Sequence, residues 1–367
     1  MKRLFLSPPH MSGKEQQYID EVFKSNYIAP IGEFINRFEE SIKSYTGISN
    51  ALAISSATAG LHLALRVLGV GKGDFVLTSS FTFIGSVNCI VYQGANPIFI
   101  DSDKSWNLSI EILKRAIRES PKKPKALVLT HLYGQMVKID EIVALCREEG
   151  IFVIEDAAES LGATYKGEQS GTFGDLGIYS FNGNKILTTS AGGMLISNNE
   201  KWIKKAKFLS TQAKEPFLHY EHKEYGYNYR MSNVLAAIGV AQMEILNKRI
   251  EQKRAIFDFY KNQLNSIEEI NFMPEIKNSK GNRWLTTLTF DKTNPLEIIK
   301  ILEEKNIESR PLWKPMHLQP LFQNSISFID GTSEELYKKG ICLPSPTRAS
   351  FDDLNRIVET IREYVKE

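Results

Sequence analysis

IFVIEDAAES, residues 151–160, decides how this chain folds. Four apolar residues run directly into the acid pair Glu155-Asp156, the signature of a strand covered on both faces that stops at a polar residue. Working outward toward the N-terminus, Ile139–Glu149 is amphipathic, with Ile139, Ile142, Val143 and Cys146 on one helical face. Before it come further short apolar strands: ALVLT (126–130), NPIFID (96–101) and DFVLTSS (74–80). GLHLALRVLG (60–69) has helical spacing and ends in a glycine turn, Gly69 to Gly73. Strands of this length alternating with helices predict an α/β fold with a mostly parallel sheet covered on both faces. Ligands of such sheets bind beyond the carboxyl ends of the strands, so the residues after each strand carry the interest.

Beyond about residue 245 the pattern weakens. Residues 246–262 read as one long charged helix that links two units. After it, RWLTTLTF (283–290) reads as a strand, PLEIIKILEEKN (295–306) as a helix, and a last helix starts at Asp352. The expected division is a large domain over 1–245 and a smaller α/β domain over 246–367.

Composition excludes several classes. Hydrophobic residues are 42% and charged residues 24%, so a large core is affordable and bulk disorder is not expected. Lys+Arg 45 against Asp+Glu 43, with no long block of one sign, requires neither a nucleic acid nor a membrane partner. The three cysteines, Cys89, Cys146 and Cys342, form no CxxC pair, so a disulfide framework and a cysteine metal site are not expected. The opening segment has too short an apolar run for a signal peptide, and a cytoplasmic location follows as the expectation.

Three segments carry the chemistry. Asp156 ends a central strand, although an acid there also reads as a cap for the next helix. In GDLGIYSFNGNKILTTSAGGMLIS (174–197), Lys185 sits in a polar turn between two apolar strands, where a solvated loop lysine is the plain alternative. Lys185 follows Asp156 by 29 residues, enough for two strands to return an amine to the acid. An amine nucleophile beside a buried carboxylate is what pyridoxal phosphate chemistry requires: the lysine holds the aldehyde as a Schiff base and the carboxylate keeps the pyridine nitrogen protonated. In SSATAGLHLAL (55–65), small residues open a helix whose first amides suit a phosphate, with an ordinary cap by Ser56 or Thr58 as the alternative.

Together with SNYIAPIG (25–32), GKGDFVLTSSFTF (71–83), VIEDAAESLGATYKG (153–167), SFNGNKILTTSAGGML (180–195), GYNYRMSNVLAAIGVAQ (226–242) and RPLWKPMHLQP (310–320), these segments cover essentially the whole chain. In that order they resemble the sugar aminotransferases named after DegT, DnrJ, EryC and StrS, which are fold-type I, aspartate-aminotransferase-like pyridoxal phosphate enzymes. The resemblance implies that Lys185 is the Schiff-base lysine and proton carrier and that Asp156 pairs with the ring nitrogen. It places Phe83 on the cofactor ring and Ala158 beneath it, with Thr58, the Ala59 amide and Ser180 around the phosphate. Asn228 would reach that phosphate from a second subunit, so a homodimer with shared sites is implied. Tyr27, Ile28, Arg230, Arg310, Trp313, Lys314 and His317 would face the substrate, although RPLW also reads as a loop whose tryptophan seals the small domain.

Two departures sharpen the expectation. Glu159 stands where many relatives have Gln or His beside the cofactor's phenolic oxygen, so its carboxyl should be protonated or hydrogen-bonded. Relatives that act as dehydratases carry His at the lysine position, and here it is Lys185, which favours transamination. L-glutamate is then the expected amino donor and a nucleotide-linked 4-keto-6-deoxy sugar the acceptor. UDP-2-acetamido-4-keto-2,6-dideoxyglucose is favoured and GDP-4-keto-6-deoxymannose, the substrate of a GDP-perosamine synthase, is the runner-up. A non-catalytic sensor that only binds the cofactor is the alternative of another class; the Lys185–Asp156 pair and the lack of an appended DNA-binding module weigh against it.

Overall fold

A computed structural model describes residues 2–365. Its strands, in chain order, are β1 (Asn50–Ile54), β2 (Phe75–Ser79), β3 (Asn96–Ile100), β4 (Ala126–Thr130), β5 (Phe152–Asp156), β6 (Thr164–Tyr165), β7 (Glu168–Gln169), β8 (Leu176–Ser180), β9 (Gly193–Ser197), β10 (Ile270–Phe272), β11 (Ser279–Lys280), β12 (Thr286–Phe290), β13 (Arg310–Pro311), β14 (Ile326–Phe328) and β15 (Gly340–Leu343). The principal sheet has the order β1-β9-β8-β5-β4-β2-β3-β14. Strands β8, β5, β4, β2, β3 and β14 are parallel, while β9 runs against both β1 and β8.

Side chains on alternate residues point to opposite faces, and the core divides accordingly. Leu52, Ile54, Val128, Ile154 and Ile178 face one helical layer, α3 (Ala57–Val67), α4 (Gly85–Tyr92) and α7 (Glu200–Ser210). On the opposite face, Leu127, Leu129 and Val153 pack on α5 (Ile110–Glu119) and α6 (Ile139–Glu148). At the β1/β9 end of that face Ala53, Tyr179 and Met194 meet α2 (Glu33–Thr46) and α8 (Asn233–Met243), with α1 (Glu15–Ser25) outside them. Helix α8 is apolar nearly all round because it is buried, and Gly239 lets it close on α2: a Cβ there would lie 2.7 Å from the Phe38 ring.

The C-terminal part opens with α9 (Leu246–Leu264), the long charged helix expected from the sequence, whose buried side includes Ile256, Tyr260 and Leu264. A four-stranded sheet, β10-β12-β15-β13, packs with α9, α10 (Pro295–Glu304) and α12 (Phe351–Val365) around Leu288, Phe290, Ile341 and Ile357. The strand read over 283–290 begins only at Thr286, because Arg283 has φ +54° and the Trp284 N–H turns to Asn282 Oδ1 at 2.8 Å. Two segments cross between the parts of the chain. Residues Ile326–Phe328 extend the principal sheet beside β3, and α11 (Thr332–Lys339) follows them. At the other end Leu4 joins the C-terminal core.

Candidate active site

Strand β5 delivers its two acids to opposite faces. Glu155 points away from the cleft, where its buried carboxylate accepts N–H groups of Gly171, Phe173 and Gly174 and meets His131 Nε2 at 2.8 Å. Asp156 points into the cleft, 5% exposed. Its Oδ1 accepts the Ala158 amide at 3.1 Å, and its Oδ2 accepts the Ser86 hydroxyl at 2.5 Å. Ser86 belongs to a buried hydroxyl chain through Thr82 to Thr130, with both links 2.9 Å long. No helix follows Asp156: residues 158–162 are turn, so the Ala158 amide bond closes that turn rather than capping a helix, and the other oxygen faces the cleft.

The connection between the antiparallel pair β8 and β9 brings Lys185 to the same cavity of about 230 Å³. Its ammonium lies 3.9 Å from the centre of the Trp284 ring and 3.6 Å from Glu159 Oε1. Only 13% of the Lys185 side chain is exposed, so the solvated-loop alternative does not describe it. Glu159 is fully buried, and burial raises its pKa against the opposing pull of Lys185 and the Tyr133 N–H, which donates to Oε2 at 2.6 Å. Tyr133 takes φ +51° to make that donation, and its hydroxyl accepts the Trp313 amide at 2.8 Å.

Across the cavity stands the N-terminus of α3. Ser56 caps it, its Oγ accepting the Ala59 amide at 3.1 Å. That bond corrects the expectation for Ala59: its N–H is already engaged, and Ala57 and Thr58 are the first-turn residues that line the cavity. Their N–H groups have no intrahelical acceptor. Backbones crowd here, since a Cβ on Gly193 would lie 2.6 Å from Ala57 N and one on Gly85 3.1 Å from the Phe83 ring. Phe83, half exposed, Ala158 and Ser180 complete the lining with Trp313, whose ring centroid lies 5.2 Å from that of Phe83.

These residues fit a pyridoxal phosphate. The lining supplies first-turn amides of α3 with Thr58 and Ser180 for a phosphate, the Asp156 carboxylate for a ring nitrogen, Phe83 and Ala158 for the faces of a ring, and the Lys185 amine for an aldehyde.

The residues expected on the substrate side scatter. Arg310, Lys314 and Trp313 line an adjoining chamber of about 850 Å³, which also shares Asn184 and Trp284 with the first cavity. The Arg310 guanidinium pairs with Glu308 at 2.8 Å. His317 lines neither chamber; its Nδ1 meets Ser80 Oγ at 2.6 Å and its Nε2 faces Glu334. Arg230 turns inward to Glu39 and the Ala53 carbonyl, 3.2 and 3.0 Å away. Tyr27, Ile28 and Asn228 are exposed on the surface, outside both chambers. Sequence reasoning missed Ser86, Thr82, Thr130, Tyr133 and Trp284. The post-strand segment TSSFT (78–82) and the HLYG turn (131–134) were available signals for Thr82 and Tyr133, whereas Thr130 ends a strand, Ser86 lies in the first turn of α4, and Trp284 comes from the far C-terminal part.

The DegT/DnrJ/EryC1/StrS aminotransferase family model matches residues 9–362. The chain is 52% identical to the putative pyridoxal phosphate-dependent aminotransferase EpsN of Bacillus subtilis, covering 98% of this chain and 95% of that protein. It is 37% identical to the GDP-perosamine synthase of Escherichia coli O157:H7, covering 99% of each. Among solved structures, the aminotransferase TlmJ of Streptoalloteichus hindustanus superposes with a TM-score of 0.93 at 25% identity, over 99% of both chains. Family match and cavity chemistry agree, and the chain belongs to the DegT/DnrJ/EryC1/StrS aminotransferases, fold-type I enzymes that depend on pyridoxal phosphate.

Proposed function

We propose that this enzyme moves an amino group from L-glutamate to C4 of a nucleotide-linked 4-keto-6-deoxy sugar. The observation that carries the reading is the convergence of Lys185, Asp156 and the α3 N-terminus on one cavity that opens onto a second, larger one. When bound, pyridoxal phosphate supplies an aldehyde and an electron-accepting ring. Lys185 Nζ would hold the aldehyde and is the amine available to move a proton beside it. Asp156 Oδ2, fixed by Ser86, would face the ring nitrogen. Ala57, Thr58 and Ser180 would hold the phosphate, and Phe83 and Ala158 would border the ring. Glu159 keeps a proton or a hydrogen bond at the phenolic oxygen, which its burial favours.

The adjoining chamber takes the sugar nucleotide. Trp313 divides the two cavities and offers an apolar wall, while Lys314 and Arg310 offer cations to a diphosphate. UDP-2-acetamido-4-keto-2,6-dideoxyglucose remains our favoured acceptor on the motifs SFNGNK and RPLWKPMH. The similarity to a GDP-perosamine synthase supports GDP-4-keto-6-deoxymannose as the second reading. Asn228, exposed and not among the residues that line its own cavity, suits a homodimer in which it reaches the partner's phosphate. We place the enzyme in the cytoplasm, where both substrates of this class are made; among the described residues no helix is long and apolar enough to cross a membrane.

The experiment is a panel of 4-keto sugar nucleotides offered to the enzyme with L-glutamate, scored for 2-oxoglutarate and the 4-amino sugar. Turnover of the UDP acceptor supports the favoured reading, and exclusive turnover of the GDP acceptor replaces it with the second. Bound cofactor with no amine transfer to any 4-keto sugar refutes both.

A further inference from the structure

Lys253, in the middle of α9, is 4% exposed, and no ion pair joins it to a carboxylate among the described residues. Its Nζ donates to the Ser345 carbonyl at 2.6 Å and to Ser7 Oγ at 3.2 Å. Ser7 spends its single hydroxyl proton on the Asn184 carbonyl, 2.8 Å away, so it can only accept from the lysine. Asn184 immediately precedes Lys185, and its carbonyl takes a second donor, Trp284 Nε1, at 2.7 Å. The same Trp284 ring carries the Lys185 ammonium at 3.9 Å.

The segment that bears Ser7 is itself tied to the C-terminal layer. Leu4 N donates to Asn306 O, Glu308 N to Leu4 O, Leu6 N to Glu308 Oε2, and Ser345 N to Leu6 O. Residues 4–7 therefore run as a strap from the C-terminal sheet to the loop of the reactive lysine. Lys253 holds the end of that strap and the Ser345 turn with one nitrogen.

We propose that Lys253 and Ser7 are positioning residues for Lys185, transmitting the placement of the C-terminal layer to the 182–187 loop through the chain Lys253 Nζ, Ser7 Oγ, Asn184 O. The role rests on Lys185 being the reactive amine. Two features make it more than packing. The contacts end on the carbonyl next to the reactive residue. Furthermore, a buried lysine without an anion is an expensive way to fill space; burial brings its ammonium down to about 7, and a neutral amine with two N–H groups satisfies both acceptors. An apolar side chain of equal length would fill the volume without that cost but would release Ser7.

The test compares Ser7→Ala, Ser7→Thr and Lys253→Met in the full chain. Ser7→Ala removes the bridge and leaves the lysine its Ser345 partner, whereas threonine retains the hydroxyl. A displacement of roughly 1 Å at a reactive group costs up to about a hundredfold, so Ser7→Ala is expected to lower kcat about tenfold or more with the KM for L-glutamate within about twofold. Hydrogen exchange across residues 182–187 of the cofactor-free chain should speed up in both Ser7→Ala and Lys253→Met, and Ser7→Thr should restore both readouts. Wild-type exchange in Ser7→Ala, a kcat within about threefold of wild type, or a threonine variant no better than alanine would each overturn the proposal. If Lys253→Met does not fold, the Ser7 pair alone decides. The reading of Lys185 is tested separately by Lys185→Ala: turnover there removes the reactive amine from the argument, while the exchange measurement still reports on the strap.

Discussion

Replacing Asp156 with asparagine separates its two roles, because the structure gives each role its own oxygen. Oδ1 accepts the Ala158 amide and closes the turn after the strand; an asparagine carbonyl does this equally well, since Asn and Asp form the same turn. Oδ2 accepts the Ser86 hydroxyl at 2.5 Å, and in the variant an amide takes its place. The hydroxyl chain accommodates that change: Ser86 can turn its proton toward Thr82 and accept one N–H of the new amide, whose other N–H faces the cavity. The stability loss is then the charge-assisted part of one hydrogen bond, about 1 kcal/mol.

The activity loss should be larger. A neutral amide does not retain a proton on the ring nitrogen, and losing a charge-assisted hydrogen bond costs about 1.5–3 kcal/mol before any loss of the electron sink is counted. At about 1.4 kcal/mol per decade this sets a floor of roughly tenfold to a hundredfold in kcat. The assay is the half-reaction with L-glutamate, followed by the bound cofactor's absorbance in a stopped-flow instrument, beside a thermal melt of the same preparation. A melt close to wild type with a rate down at least tenfold is the expected pair of results. A rate within about threefold of wild type would refute the reasoning and leave Asp156 with its turn-closing role alone.

Three other outcomes follow from the same geometry. Lys185→Ala should fold, since it leaves Glu159 its Tyr133 N–H and lets the carboxyl take a proton, and should lose turnover by at least about a thousandfold in the glutamate half-reaction. Mixing inactive Lys185→Ala chains with inactive Asn228→Ala chains should restore part of the activity, because some mixed dimers then carry one site with both native residues; no recovery after subunit exchange would remove Asn228 from the partner's site. Lys314→Ala should raise the KM for the sugar nucleotide about five- to a hundredfold, the range spanned by a solvated and a desolvated phosphate contact, and leave the glutamate half-reaction unchanged; equal damage to both would make the 310–317 segment a support of the fold.

Much of this architecture is legible in the sequence because local patterns decide it. IFVI (151–154), just before the acid pair, and ALVL (126–129), just before Thr130, are apolar at every position, as a doubly covered strand is, and both strands end at the cavity. Asp156, the last residue of such a strand, and Lys185, in the polar connection between two apolar strands, are legible because those patterns place them at the strand ends where ligands of such sheets bind. What the sequence hides is set by long-range packing. Trp284 lies 99 residues beyond Lys185 and arrives under its amine only because the 282–284 turn is wedged by a positive-φ arginine. His317 looks like a phosphate ligand beside Lys314, yet Ser80 and Glu334 occupy both of its nitrogens. Neither partner is near it in sequence. Helices α1 and α2 escape a strand-led reading because the apolar stripe that α2 buries is covered by α8, some 200 residues later.

The two carboxylates that flank Lys185 explain why the site uses both. Asp156 receives two donors, a hydroxyl and an amide, one on each oxygen. Glu159 is fully buried, receives one amide, and has the lysine 3.6 Å from its other oxygen. Its carboxyl is raised by burial, and the ammonium is the strongest counterweight. Once Lys185 Nζ is engaged elsewhere that counterweight is gone, and the adjacent Asp156 charge pushes the same way as burial. Loss of that counterweight should favour the protonated form of the Glu159 carboxyl. A glutamine at this position holds the same shape and the same Tyr133 N–H but moves no proton. Glu159→Gln should therefore preserve cofactor binding and flatten the pH dependence of the bound cofactor's absorbance, and a titration indistinguishable from wild type would show that the carboxyl takes no part.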